Sequence, residues 1–123
     1  MDYPVTEHYH AVVLPIKGRF FGSVNGPGFT EAVDRLREEG KRNLVLDLSK
    51  AKLMDSSGIG VLIETAKTLR DEGGDIRLSG MEDQMRNLFL MTKLLGPVFQ
   101  SFANVDEAVA SYAPGAEANA SDD

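Results

Sequence analysis

The sequence has no cysteine. That excludes a disulfide framework and a thiolate metal site, and it fits a protein of the cytoplasm. Histidine is nearly absent as well. His8 and His10 stand at i, i+2, an unconvincing ligand set with no cysteine beside it, so no metal is expected. No uninterrupted apolar run approaches the roughly 18 residues that a membrane span needs, so direct membrane insertion is not expected. The opening residues, Met1-Asp2-Tyr3-Pro4-Val5, lack the basic-then-apolar order of a signal peptide, and none is expected. A basic excess is also missing. The net charge of −6 repels nucleic acid and anionic lipid, so neither is an expected partner, and solubility is its plain meaning.

What is present suits one folded domain. The chain has 123 residues, and 42% of them are hydrophobic, enough for a real core. Val5-Thr6-Glu7-His8 and Ala11-Val12-Val13-Leu14-Pro15-Ile16 are expected to form two short strands joined by a turn. Gly22-Ser23-Val24-Asn25-Gly26-Pro27-Gly28 is expected to be a loop, because glycine and proline punctuate it. Phe29, Ala32, Val33 and Leu36 then share one helical face, with Gly40 as a stop. Leu44-Val45-Leu46-Asp47-Leu48 is the clearest strand. Ile59, Leu62, Ile63, Ala66 and Leu69 form the next helical stripe, closed by Gly73-Gly74.

Asp75-Ile76-Arg77-Leu78-Ser79 alternates like a strand. Met81, Met85, Leu88 and Phe89 make a third stripe, and Pro97-Val98-Phe99-Gln100 a short final strand. Asn104 and Glu107 carry the capping-box pattern. Behind them Val105, Ala108, Val109 and Tyr112 form the buried face of a last helix. The tail, Pro114 to Asp123, is small and polar and is expected to be disordered. The alternation predicts an α/β fold in residues 1–113, with a mixed, mainly parallel sheet of about four or five strands and about four helices.

Chemistry concentrates in Leu46-Asp47-Leu48-Ser49-Lys50-Ala51-Lys52-Leu53-Met54-Asp55-Ser56-Ser57-Gly58-Ile59-Gly60. This segment is expected to leave the central strand, pass through a loop and enter the second helix. Asp55, Ser56 and Ser57 fall where that helix begins. Gly58 and Gly60 allow a tight turn or the close approach of a partner. A helix start offers unpaired N–H groups and a partial positive charge, which suit a phosphate. Phosphorylating a serine adds roughly −1.5 to −2 charges and three acceptor oxygens. Plain capping explains the same residues more simply, since Asp and Ser are preferred N-caps. On the residues alone both readings stand.

Met54-Asp55-Ser56-Ser57-Gly58-Ile59-Gly60, preceded by Leu46-Asp47-Leu48, resembles the signature of STAS domains and is most similar to the bacterial anti-sigma-factor antagonists. The order of elements extends the likeness over roughly residues 5 to 112. The resemblance implies that Ser56, directly after the aspartate, is phosphorylated by an anti-sigma factor that is itself a serine kinase. It implies that the dephosphorylated form binds that anti-sigma factor and frees a sigma factor. It further implies that a serine phosphatase resets the switch, and that Asp55, Ser57, Gly58 and Ile59 flank the phosphosite and contact the partner. One departure stands out. The family's Gly-x-apolar-Asp is Gly18-Arg19-Phe20-Phe21 here, with Phe21 in place of the acid. Altered kinase recognition and a Ser56 that takes no phosphate are both compatible with this, and Phe20 and Phe21 are either partner contacts or buried residues. The family also contains constitutive interaction modules, such as small subunits of lipid-transport or signalling complexes.

Other chemistries find little support. Ser56 with His8 or His10 as base would make a nucleophile, but Asp-Ser-Ser-Gly is not the Gly-x-Ser-x-Gly elbow. The Gly22–Gly28 stretch precedes a helix as phosphate loops do, yet it lacks the Lys-Ser/Thr ending and does not fit Gly-x-Gly-x-x-Gly. The chain is therefore expected to be non-enzymatic and to need no cofactor.

Overall fold

The computed structural model describes residues 4–8 and 10–114. Among the described residues the elements are β1 (Thr6–Glu7), β2 (Val12–Phe20), α1 (Gly22–Glu38), β3 (Asn43–Met54), α2 (Ser56–Asp71), β4 (Asp75–Ser79), α3 (Asp83–Met91), β5 (Ser101–Phe102) and α4 (Val105–Ala110). The strands form one sheet in the order β1-β2-β3-β4-β5. β1 is antiparallel to β2, and every other neighbouring pair is parallel. This is the mixed, mainly parallel sheet with four helices that the alternation predicts.

Strand periodicity sorts the core into two layers. β2 sends Val12, Leu14, Ile16 and Phe20 to one face, where they meet Phe29 of α1, Leu62 of α2 and Phe89 of α3. Each such fully buried side chain contributes about 1.5–3 kcal/mol. Ala11 and Val13 face the other way and pack with Val45, Ala108, Val109 and Tyr112. Polar bonds fasten α4 over this second layer. The Tyr112 hydroxyl donates to the Leu44 carbonyl at 2.8 Å, and the buried Arg77 guanidinium lies 4.0 Å over the Tyr112 ring. Arg77 also donates to the Ser111 carbonyl at 2.8 Å.

Three stretches differ from expectation. The residues from Gly22 to Gly28 form the first turns of α1, not a loop. Their glycines serve packing: a Cβ on Gly22 would lie 2.5 Å from the Ser57 backbone, and one on Gly26 would lie 3.1 Å from Val61 Cγ2. Low intrinsic propensity yields here to tertiary contact. β3 continues through residues 49–54, which the sequence reads as a loop. Register shifts against β2 break its alternation, so that Leu48, Ala51 and Met54 face the core with exposed pairs between them. The last strand falls at Ser101–Phe102, just beyond the predicted Pro97–Gln100. A turn uses those residues: Phe99 N–H donates to the Leu94 carbonyl at 2.9 Å, and Gly96 N–H to the Phe99 carbonyl at 2.8 Å.

The helix stops fall as expected. Gly40 and Gly73 follow α1 and α2 with φ of +82° and +89°, the left-handed conformation that glycine adopts without penalty. Asn104 Oδ1 accepts the Glu107 N–H at 2.9 Å and caps α4. The tail expected to be disordered lies outside the described residues from residue 115 onward.

Candidate functional site

β3 ends at Met54, and α2 begins two residues later. Asp55 sits between them as the N-cap of α2, with extended backbone at φ −92° and ψ 175°. Its Oδ1 accepts the Gly58 N–H at 2.7 Å, as an N-cap does. The same oxygen accepts the Ser57 hydroxyl at 2.9 Å and the Gly22 N–H at 3.2 Å. Hydrogen bonds to a carboxylate favour its charged form. The Gly58 N–H first, then the Gly22 N–H and the Ser57 hydroxyl, hold the Asp55 pKa below the usual carboxylate value.

Gly22 brings the start of α1 to the same point. Phe21, its N-cap, makes no side-chain capping bond. The first helical N–H is instead met by Asp55 and by Ser57 Oγ, the latter at 3.1 Å. Two helix starts therefore share one carboxylate and one hydroxyl. Phe21 is half-buried, and its N–H donates to Asn25 Oδ1 at 2.8 Å. Phe20 is buried against Phe29, edge to face with ring centroids 5.4 Å apart. Of the two readings open for Phe20, the core position is the one observed.

The two serines differ. Ser57 Oγ both donates to Asp55 and accepts from Gly22. Ser56, the first residue of α2, is exposed, and its hydroxyl enters no hydrogen bond with the described residues. Gly58 is buried, and only glycine fits there: a Cβ would stand 2.4 Å from the Phe20 carbonyl oxygen. Ile59 is 9% exposed and packs into the core. The five residues singled out in the sequence thus form one turn, with Ser56 and Ser57 on its outer side and Gly58 and Ile59 beneath.

Two clefts flank this turn. One, of about 500 Å³, runs between α1 and α2 and is lined by Thr30, Val33, Ser57, Gly60, Val61 and Glu64 among others. The other, of about 330 Å³, lies between the end of β3 and α3, with Leu53, Met54, Met85, Leu88 and Met91 on its walls. Among the described residues no group of three or more His, Cys, Asp or Glu is arranged to hold a metal ion. No helix among them is long and apolar enough to cross a membrane.

The Asp55 turn thus stands at the C-terminal end of β3, in the middle of a mixed, mainly parallel α/β sheet. The STAS domain family model matches residues 2–108, and the chain belongs to that family. An anti-sigma-B factor antagonist of Staphylococcus aureus is 29% identical over 68 residues, 55% of this chain and 63% of the relative's own length. An anti-sigma factor antagonist structure from Mycobacterium paratuberculosis superposes with a TM-score of 0.76 at 22% identity, covering 90% of this chain and 92% of that one. The Bacillus cell fate determinant SpoIIAA in its phosphorylated form gives 0.67 at 20% identity, covering 89% and 97%. At such identities the structural likeness speaks for the fold alone.

Sequence reasoning missed Gly22 as a member of the site.

Proposed function

We propose that this STAS domain is an anti-sigma factor antagonist and that Ser56 accepts its regulatory phosphate. The observation that carries this reading is the inequality of the two serines. Ser57 is committed to Asp55 and Gly22, while the Ser56 hydroxyl is exposed and unused by the fold. A phosphoryl group on Ser56 would break no bond of the domain. The family membership and the name of the Staphylococcus relative point the same way.

In this reading the anti-sigma kinase supplies ATP, the metal ion and the catalytic groups. Its base takes the Ser56 proton as the γ-phosphoryl group moves to Ser56 Oγ and ADP departs. A phosphatase hydrolyses the ester. The unmodified turn from Asp55 to Ile59 binds the anti-sigma factor and releases its sigma factor. The phosphorylated turn places a near-dianion beside the Asp55 carboxylate, and a desolvated like-charge contact costs several kcal/mol. The domain performs no catalysis of its own and acts in the cytoplasm with its partners.

Paired baits test the reading: wild type and Ser56→Asp, each exposed to lysate of the native cell, with retained proteins identified by mass spectrometry. A kinase-type anti-sigma factor is expected on wild type and not on Ser56→Asp. Equal retention of a transporter or scaffold subunit by both baits would instead make the chain a constitutive interaction module whose Ser56 carries no switch.

A further inference from the structure

On β2 and β3, α4 covers the second face of the sheet over Ala11, Val13 and Val45. Farther along β2 and β3 the same face is open and basic. Lys17 and Arg19 alternate with core residues Ile16 and Phe20, so they point away from the main core. Lys50 is the register partner of Lys17, and Leu53 that of Arg19. Lys52 is exposed on the irregular stretch between them. None of these four cations forms an ion pair or hydrogen bond with the described residues. Asp47, the nearby acid of β3, accepts the Ser49 N–H at 3.0 Å.

We propose that this facet of Lys17, Arg19 and Lys50 is a docking surface for an acidic protein segment, separate from the Ser56 turn. Adjacent strands lie about 4.8 Å apart, so the paired Lys17 and Lys50 hold like charges side by side. Directly opposed like charges destabilise a sheet. The fold gains nothing from this pairing, whereas an anionic partner would relieve it. The contrast with the rest of the chain is large: 19 acids outnumber 13 cations overall, yet Lys17, Arg19 and Lys50 stand unpaired on adjacent positions of β2 and β3.

The same charge balance selects the kind of anion. Duplex nucleic acid or an anionic membrane extends well past the facet and meets the net charge of −6. A short acidic segment can set two or three of its carboxylates within a Debye length, about 8 Å at physiological salt, of these cations. Leu53, 47% exposed beside Arg19, adds an apolar contact that a peptide side chain can use and a phosphate backbone cannot.

The test is a nuclear magnetic resonance titration of the isotope-labelled full chain with the peptide Glu-Glu-Leu-Glu-Glu-Leu-Glu-Glu. Amide shifts are expected at residues 17–19 and 49–53 and not at 56–60. Lys17→Glu with Lys50→Glu should weaken binding about tenfold, and Ser56→Asp should leave it unchanged. Lys17→Gln with Lys50→Gln, which only neutralises exposed positions, should give a smaller loss with the circular dichroism spectrum of wild type. Absent binding, shifts centred on the Ser56 turn, or equal affinity in the charge-reversed chain would overturn the proposal. So would tighter binding of phosphatidylserine vesicles or duplex DNA than of the peptide.

Discussion

The backbone N–H of Gly22 donates to the Asp55 carboxylate at 3.2 Å, fastening the first residue of α1 to the residue before α2. These residues are 33 apart in sequence. One acid therefore holds the geometry of two helix starts, and the exposed Ser56 stands on the platform they make.

Asp55→Ala should loosen both starts together. Gly22, Gly58 and the Ser57 hydroxyl would lose a common acceptor, so the Tm should fall and amide exchange should quicken at Gly22 and Gly58. Asp55→Asn keeps an oxygen and caps as well as aspartate, so it should retain most of the stability. The pH dependence follows from the lowered pKa of Asp55. Its contribution is complete above the ordinary carboxylate pKa and is lost as pH falls through the depressed folded value. Acid unfolding of Asp55→Asn should lack that component. Unchanged exchange at Gly22 in Asp55→Ala would show that the carboxylate is not the fastener.

Gly58 and Gly60 should respond oppositely to alanine. At Gly58 a Cβ would stand 2.4 Å from the Phe20 carbonyl oxygen, a backbone atom at the end of β2. Overpacking of this kind costs about 1–3 kcal/mol. At Gly60 a Cβ would meet nothing within 4 Å. Gly60→Ala should stabilise the chain by up to about 1 kcal/mol through helix propensity. Urea unfolding of the two variants reads both signs, and a loss of stability in Gly60→Ala would refute the second.

The cap itself was legible because Asp55, Ser56 and Ser57 are local: a short polar run between an apolar strand and an apolar helical stripe has few other uses. The Gly22 link was not, because nothing near Gly22 in sequence mentions Asp55. The same reason hid the first turns of α1, whose glycines look like loop residues until Ser57 and Val61 are seen against them. β3 beyond Leu48 was lost for a local reason. Its register shifts turn a period of two into core positions three apart, which a reading for strands discards. The helical stripes of α1, α2 and α3 survived because each places several large side chains on one face of a single core.

The far ends of α1 and α2 carry a separate clamp whose acid sensitivity can be measured. Arg37 Nε donates to Glu72 Oε1 at 3.0 Å, and Arg42 Nε to the same oxygen at 2.9 Å. Arg37 first and Arg42 second hold the Glu72 pKa down to about 2. A carboxylate with a depressed folded pKa stabilises fully above its unfolded value and loses that contribution as pH falls through the folded one. The clamp should thus hold at neutral pH and weaken between the ordinary glutamate range and pH of about 2. A carboxyl titration followed by nuclear magnetic resonance should place Glu72 well below the ordinary glutamate range. A Glu72 midpoint in the ordinary range would mean that solvent screens the clamp away.

Ser56 and Ser57 offer the sharpest separation of structure from switching. Ser56→Ala removes a hydroxyl that the fold does not use, so stability should change by no more than about 0.5 kcal/mol. Ser57→Ala takes a donor from Asp55 and an acceptor from Gly22 and should cost about 1 kcal/mol. Phosphate should sort the other way. With ATP and the kinase retained by the wild-type bait, wild type and Ser57→Ala should each gain one phosphoryl group, and Ser56→Ala none. Peptide mass spectrometry locates the group. Phosphate on Ser57 in the wild type would sink the assignment, because modification there would have to displace the Gly22 and Asp55 bonds. The switch would then work by loosening two helix starts and not by placing charge on an intact surface.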